Sequence, residues 1–272
     1  RGDGFQIGGP TPAEFYRDGE EDAIEKKRDL LQQEAADANQ EREEILAKFR
    51  NRLKLSPGFG IQALGGQFGN DYFFDQQHVT DNQTHTTAVT AGKSTWAFYT
   101  DGKLSTDQGS LAGENRGHWY AGLEDPQYVT LGAATNGSGS FQAAPFNGKL
   151  AQIMVFDKVL NAKQLEMPWQ EIAKLDGLRF WLDASDLDAD PDTANPEVGQ
   201  PVSRWRDKVS GVELRATEED LRPVLSTLKD SEIPAVGFDD DFLKGSAEDL
   251  LFLKDVAGTV VTVFSSEDND ES

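Results

Sequence analysis

The sequence contains the run Lys149-Leu150-Ala151-Gln152-Ile153-Met154-Val155-Phe156, which is apolar on both of its alternating faces. Successive side chains of a β-strand point to opposite sides, so a strand that is apolar on both sides is one that other elements cover on both sides. Phe146-Asn147-Gly148 precedes the run and is typical of a turn. The run is therefore predicted to be a buried strand at the centre of a β-sandwich.

Short alternating runs separated by turn residues surround this segment. Thr86 to Thr90 and Thr95 to Thr100 are rich in β-branched and aromatic residues, and Asp101-Gly102 after them is a strong signal for a two-residue hairpin. Tyr128 to Gly132 and Leu178 to Leu182 predict further strands. Together these runs indicate an all-β, antiparallel, two-sheet architecture.

The sequence also predicts two helical segments, one before the strands and one between them. From residue 20 to residue 55 glycine and proline are absent while Glu, Lys, Arg, Gln, Ala and Leu dominate, which predicts one long charged helix. Its thin apolar stripe, which includes Leu31 and Ile45, predicts that one face packs either against the chain's own sandwich or against a neighbouring copy, giving self-association. Further on, Asn161 and Gln164 have the spacing of a helix capping box.

Composition excludes several classes of function. The chain has 272 residues, of which 37% are hydrophobic, enough for a packed core, and no run approaches the roughly 18 apolar residues that predict a transmembrane segment. The absence of cysteine excludes disulfides, thiolate catalysis and cysteine-ligated metals. A formal charge of −22, most of it in the C-terminal third, argues against nucleic acid, because such binding is driven by Lys and Arg.

Two segments carry a family resemblance. Phe98-Tyr99-Thr100-Asp101-Gly102-Lys103-Leu104, with Phe146 to Leu160 behind it, resembles the closing half of a laminin-G-like, or concanavalin-A-like, jelly roll. Phe180-Trp181-Leu182-Asp183-Ala184-Ser185-Asp186, followed by Trp205-Arg206-Asp207-Lys208-Val209-Ser210-Gly211 and by Ile233 to Asp239, is similar to the opening half of such a domain in bacterial surface proteins. The resemblance implies a jelly-roll sandwich that binds carbohydrate or protein outside the cell.

The two halves occur in reversed order. The closing half, residues 56–176, precedes the opening half, residues 177–264, with a loop at 1–19 and an acidic tail at 265–272. Either a circular permutation lets the two halves complete one sandwich, or the chain spans parts of two tandem repeats. The second arrangement would leave strand edges open to pairing with other chains.

Four alternating aspartates, Asp186, Asp188, Asp190 and Asp192, imitate the oxygen-ligand spacing of a calcium loop. A proline stands where the EF-hand turn requires glycine, and no flanking helices are predicted, so an EF-hand is not expected. Clustered carboxylates repel one another and gain from a hard cation. A looser calcium site is one interpretation of this loop, and a solvated acidic turn is the other.

A second candidate site combines aromatic and polar residues in one loop. Trp119 and Tyr120 could stack on the face of a sugar ring, while Asn115 and Arg116 could bond its hydroxyl groups. Such loops lie at the rim of a sandwich, where binding sites are common. The alternative is that the aromatic pair plugs the core beneath a long loop.

Catalytic motifs are missing from the sequence. The three histidines are scattered, and neither a Gly-x-Ser-x-Gly elbow nor a His-Glu-x-x-His helix occurs. We therefore expect a non-enzymatic module of an exported bacterial protein, located outside the cell or on its surface, whose partner is a glycan or a cell-surface protein. The alternatives are a structural spacer or assembly unit of a surface array, and an accessory domain of a polysaccharide-degrading enzyme.

Overall fold

The computed structural model describes residues 26–28, 60–63, 71–75, 79, 81–92, 95–106, 108–112, 128–135, 141–143, 146–246 and 257–266. The chain divides into two compact units, Arg1–Leu55 and Ser56–Ser272. In the first unit, residues 26–28 are α-helical. The remainder of the helix predicted for residues 20–55 lies outside the described residues. Among the described residues, none of the helices is long and apolar enough to cross a membrane.

Most of the regular secondary structure that is described in the second unit is β-strand. In chain order, its described strands are β1 (Gly60–Ala63), β2 (Asp71–Asp75), β3 (Thr84–Gly92), β4 (Thr95–Thr100), β5 (Lys103–Leu104), β6 (Gln108–Ala112), β7 (Tyr128–Leu131), β8 (Ala134–Thr135), β9 (Phe141–Ala143), β10 (Gly148–Phe156), β11 (Leu178–Asp183), β12 (Arg204–Arg206), β13 (Glu213–Arg215), β14 (Val224–Thr227), β15 (Pro234–Phe238), β16 (Leu243–Ser246) and β17 (Gly258–Ser266). The described residues of this unit also include two short helices, α1 (Ala162–Leu165) and α2 (Trp169–Ile172), and a 3-10 turn at Glu219–Leu221.

The larger sheet has eight strands, and β10 is at its centre. Seven of the strands follow the order β14-β15-β10-β17-β3-β4-β5, and the eighth, β11, pairs with β10. Every pairing is antiparallel. One edge of β10 pairs with β17 over its whole length. The other edge pairs first with β15, at Gly148 to Leu150, and then with β11, at Gln152 to Phe156. The prediction of a buried central strand is confirmed.

Strands from both sides of Asp176-Gly177 belong to this one sheet. Ile153 of β10 lies opposite Leu182 of β11, and Val89 of β3 lies opposite Val260 of β17. The segments that resemble a closing half and an opening half are therefore hydrogen-bonded to each other.

A second antiparallel sheet, in the order β12-β13-β16-β7, packs against the first. The core between the two sheets combines side chains of the larger sheet, such as Phe98 and Ile153, with Trp205, Leu214 and Leu243 of the smaller one. This arrangement confirms the predicted all-β, antiparallel sandwich. Two smaller groups of strands, β1-β2-β6 and β8-β9, are also antiparallel.

The outer face of the larger sheet is covered by α1 and α2. Met154 and Phe156 of β10 are fully buried there against Leu165 and Ile172 of the helices. This cover explains why β10 is apolar on both faces: one face meets the second sheet and the other meets the helices. At the start of α1, the Asn161 side chain accepts from the backbone N–H of Gln164, and the backbone N–H of Asn161 donates to the Gln164 side-chain oxygen. These two bonds confirm the predicted capping box.

The hairpin between β4 and β5 has the predicted two-residue turn. Asp101 and Gly102 have φ values of 50° and 77°, so both occupy the left-handed region that two-residue hairpin turns require. A Cβ atom on Gly102 would lie 2.8 Å from the Cα of Glu166. Position 102 therefore requires glycine for two reasons: the positive φ of the turn and the close approach to the end of α1.

Candidate functional site

The four residues of the predicted sugar platform, Asn115, Arg116, Trp119 and Tyr120, lie outside the described residues. The four aspartates of the predicted calcium loop, Asp186, Asp188, Asp190 and Asp192, are described, and they follow β11 directly.

Asp186 and Asp190 already have partners in this loop. The Oδ2 atom of Asp186 is 3.0 Å from the Nζ atom of Lys208, and its Oδ1 atom accepts from the backbone N–H of Asp190. The carboxylate of Asp190 in turn accepts from the backbone of Asp192 and from the hydroxyl of Thr193. Within the described ranges, no group of three or more His, Cys, Asp or Glu side chains is placed to hold a metal ion. As placed, these carboxylates stabilise a turn, and a calcium site in this loop stays a prediction.

The cation beside the first aspartate is Lys208, which also pairs with Asp183. Asp183 is buried and accepts from Gln152 at 2.7 Å, from the Ser185 hydroxyl at 2.6 Å and from Lys208 at 3.1 Å. Burial alone would raise the pKa of Asp183, but these hydrogen bonds and the charge of Lys208 outweigh it and lower the pKa. Burial would lower the pKa of Lys208, but the Asp186 hydrogen bond and the charge of Asp183 raise it.

Trp181 joins this cluster on the outer face of the larger sheet. Its Nε1 donates to Gln152 at 2.7 Å, and the Lys208 ammonium lies 4.7 Å from the centre of its ring, within the range of a cation–π contact. A register shift between Leu150 and Gln152 interrupts the pairing of β10 with β17 at this point. Such a bulge re-aims side chains, and Gln152 here faces Trp181 and Asp183.

The turn after β12 closes the free edge of β11. The buried Asp207 carboxylate accepts from the backbone of Trp181 and from the backbones of Val209 and Ser210. The backbone N–H of Lys208 donates to the carbonyl of Trp181 at 2.9 Å. The two motifs that carry the resemblance on this side of the chain are therefore bonded to each other, and their polar residues hold the fold together.

A pocket of about 340 Å³ lies in the segment between these two motifs, residues 187–204. Leu187, Pro196, Pro201 and Val202 form apolar parts of its lining, and Asp188 and Arg204 are its charged residues. The Oδ1 atom of Asp188 is buried and has no hydrogen-bond partner within the protein. The guanidinium of Arg204 is 3.7 Å from the Glu213 carboxylate, which is longer than a hydrogen bond.

Backbone and side-chain bonds hold the walls of the pocket in place. Asn195 donates to the carbonyl of Ala184 at 3.0 Å and accepts from the backbone of Leu187 at 3.0 Å. The carbonyl of Leu187 accepts from Arg206, and the N–H of Val202 donates to Pro223, both at 2.7 Å. A pocket that is fixed before its ligand arrives loses less conformational entropy on binding.

A second polar cluster surrounds His85 on β3. The Nδ1 atom of His85 is 2.9 Å from Asp101, and its Nε2 atom is 2.9 Å from Asp81. Burial alone would lower the pKa of His85, but the hydrogen bonds to these two carboxylates and their negative charges raise it. With a carboxylate on each ring nitrogen, the geometry suits the doubly protonated imidazolium.

The sequence pattern from Asp186 to Asp192 predicted a calcium site. It gave no sign of Lys208 as the resident cation or of Asp188 as one of the residues that line the pocket. A row of alternating aspartates does not show which of them will form an ion pair with a lysine that is distant in the sequence. The Trp-Arg-Asp-Lys motif was the available signal, since it was already singled out by the resemblance. Comparison of the chain with protein-family models, with curated proteins and with solved structures found no match.

Proposed function

We propose that this chain is a laminin-G-like recognition module, which binds a glycan or a protein without catalysing a reaction, within an exported bacterial surface protein. The pairing of β10 with β11 supports a circularly permuted arrangement, because it joins the closing-half segment to the opening-half segment in one sheet. The order of the short motifs within each half of the sequence supports the proposal of a laminin-G-like module.

The observation that carries the binding role is the pocket at residues 187–204. Its lining mixes apolar side chains with polar ones, including one carboxylate and one guanidinium, and its volume of about 340 Å³ is within the range of small-molecule sites. The nearby polar groups Asp183, Asp207 and Lys208 are already bonded to other parts of the fold. None of these three residues belongs to the lining of the pocket.

A glycan array probed with the full chain tests the carbohydrate role. We expect binding to at least one class of sugar, because loops at the rim of a sandwich commonly form such sites. No binding to any glycan of a broad array would contradict the carbohydrate role.

Calcium support has its own test. If the Asp186 to Asp192 loop binds calcium, the metal stabilises the native state, and the melting temperature rises with calcium concentration. A melting temperature that is flat up to millimolar calcium, with magnesium as the control, would contradict the calcium site.

A structural spacer is the second candidate function. Its support is the separate compact unit Arg1–Leu55, whose charged sequence could contact a neighbouring copy. Size-exclusion chromatography with and without residues 1–55 tests this role, and an unchanged oligomeric state would contradict it.

A further inference from the structure

We infer that His85 is a proton-dependent conformational switch: with both ring nitrogens protonated it joins Asp81 to Asp101, and the loss of one proton releases Asp81. The switch connects residues 81–83, which precede β3, with Asp101 in the turn between β4 and β5. It is independent of the proposed binding role.

The imidazole of His85 lies between two carboxylates. Its Nδ1 atom is 2.9 Å from Oδ2 of Asp101, and its Nε2 atom is 2.9 Å from Oδ1 of Asp81. Both distances are those of hydrogen bonds, in which an ionised carboxylate can only accept. The doubly protonated ring donates at both nitrogens and makes both bonds. The neutral ring can make one of them, and the lone pair of its other nitrogen then faces a carboxylate oxygen.

Asp101 is held in place by bonds that do not involve His85. Its backbone N–H donates to the carbonyl of Thr86 at 2.7 Å, and its Oδ1 atom accepts from the backbone N–H of Thr86 at 2.9 Å. The Asp81 carboxylate accepts from the backbone N–H of Gln83, which belongs to the same short segment. The neutral ring is therefore expected to keep its proton on Nδ1 and its bond to Asp101, and Asp81 is the partner that turns away.

Release of Asp81 weakens the attachment of residues 81–83 to the sheet. Asn82 has a φ of 61°, in the left-handed region, and its N–H donates to the carbonyl of Ser266 in β17 at 3.2 Å, the long end of the range for such a bond. A left-handed residue other than glycine keeps this conformation when surrounding contacts hold it. Loss of the contact between Asp81 and His85 therefore favours local opening of the segment.

The two carboxylates decide the pH at which the switch operates. Burial would lower the pKa of His85, but the hydrogen bonds and negative charges of Asp101 and Asp81 outweigh it and raise the pKa. From β17, His85 meets the uncharged ring of Phe264, at 6.4 Å between ring centres. On β5, Lys103 is exposed to solvent. Residues 81–83 are therefore held below pH 6.5 and released as the pH rises through the raised pKa.

NMR of the full chain labelled with nitrogen-15 tests which proton is lost. Ring-nitrogen shifts report the protonation and the tautomer of each histidine, and the His85→Gln variant identifies the signals of His85. We expect the ring to be doubly protonated at pH 6, to titrate above pH 6.5 and to keep its remaining proton on Nδ1. A neutral ring with its proton on Nε2, or titration below pH 6.5, would overturn the switch.

Solvent exchange of the Asn82 and Gln83 amides, measured by NMR on the same chain, tests the opening. After correction for the intrinsic pH dependence of exchange, we expect the protection of both amides to fall about tenfold from pH 6 to pH 9, because a hydrogen bond between charged groups contributes about that factor.

Asp81→Asn is the decisive variant. The asparagine amide accepts from the protonated Nε2 through its oxygen and donates to the neutral Nε2 through its nitrogen, so protection should change less than about twofold over the same interval. Asp192→Asn is the matched control, since Asp192 is exposed and distant in sequence from His85, and it should follow the wild type.

The other outcomes are equally decisive. A fall in protection that is the same in the wild type and in Asp81→Asn would overturn the role of Asp81. Unchanged protection in the wild type while His85 loses its proton would show that the ring titrates without releasing the segment, which would also overturn the switch. Each result holds whether or not the chain binds a glycan.

Discussion

Asp207 is about 1% exposed, and its carboxylate holds together the turn after β12. It accepts from the backbones of Trp181, Val209 and Ser210 and from the Ser210 hydroxyl. Substitution by alanine leaves these donors buried without an acceptor, so we expect Asp207→Ala to lower the free energy of unfolding by at least about 2 kcal/mol. Urea unfolding measures this change.

The conservative variant separates the hydrogen bonds from the volume of the side chain. Asp207→Asn keeps one acceptor oxygen, so its loss of stability should lie between those of the wild type and Asp207→Ala. The exposed Asp192→Ala is expected to change the free energy of unfolding by less than about 0.5 kcal/mol. Equal stability of Asp207→Ala and Asp192→Ala would show that the Asp207 bonds contribute nothing.

His85 makes the stability of the fold depend on pH. The carboxylates of Asp81 and Asp101 raise its pKa above the ordinary value of 6.5 in the folded chain. Because the folded state holds the proton more tightly, the contribution is fully present below pH 6.5 and is lost as pH rises through the raised pKa. We expect the urea midpoint of the wild type to fall from pH 6 to pH 9.

The variant His85→Gln isolates this contribution from those of the other titrating groups. Glutamine retains hydrogen-bonding capacity but cannot take up a proton in this range, so the fall of its midpoint over the same pH interval should be smaller. Identical slopes for the two proteins would contradict a role for His85. A midpoint that rises with pH only in the wild type would reverse the expected sign.

At the scale of elements, the start of β10 requires a residue without a side chain. A Cβ atom on Gly148 would lie 2.5 Å from the carbonyl oxygen of Ser265 in β17 and 2.7 Å from the ring of Phe146. These distances are too short for contact, so Gly148→Ala must separate β10 from β17 at their first pair. We expect a loss of about 1–3 kcal/mol in the free energy of unfolding, measured by thermal or urea denaturation.

Gly92 is the matched control, since it is also a strand glycine and has space for a methyl group. Its nearest neighbour to an added Cβ atom is the side chain of Val159, at 3.6 Å, which is ordinary contact. We expect Gly92→Ala to be neutral or slightly stabilising, because alanine restricts the unfolded chain. An equal loss of stability in both variants would contradict the explanation that Gly148 is required because β17 lies close to it.

At the scale of the whole molecule, β10 connects the parts of the chain before and after Asp176-Gly177. It belongs to the first part, and its partners β11, β15 and β17 all belong to the second. A fragment of residues 1–176 would leave both edges of β10 and one face of the core without partners. We expect the fragments 1–176 and 177–272 to show no cooperative unfolding alone, and to recover it when mixed.

Circular dichroism during heating measures this complementation, with the uncut chain as the control. A cooperative transition in either isolated fragment would contradict one shared core and would favour two separate half-domains.

Local features were predictable from the sequence because they depend on neighbours along the chain. The two-residue hairpin at Asp101-Gly102, the capping box of Asn161 with Gln164 and the buried strand Lys149 to Phe156 each follow from a few adjacent residues. The alternation of short apolar runs was enough to determine an antiparallel, all-β architecture.

The candidate site needed the tertiary structure. The cation beside Asp186 and Asp183 is Lys208, and the donors around Asp207 include the distant Trp181. The unpartnered oxygen of Asp188 becomes visible only once its neighbours are in place. By itself the sequence determined the strands, the turns and the excess of negative charge. Folding alone decided which carboxylates are paired and with which cation, because those partners meet through sheet pairing between parts of the chain that are far apart in sequence.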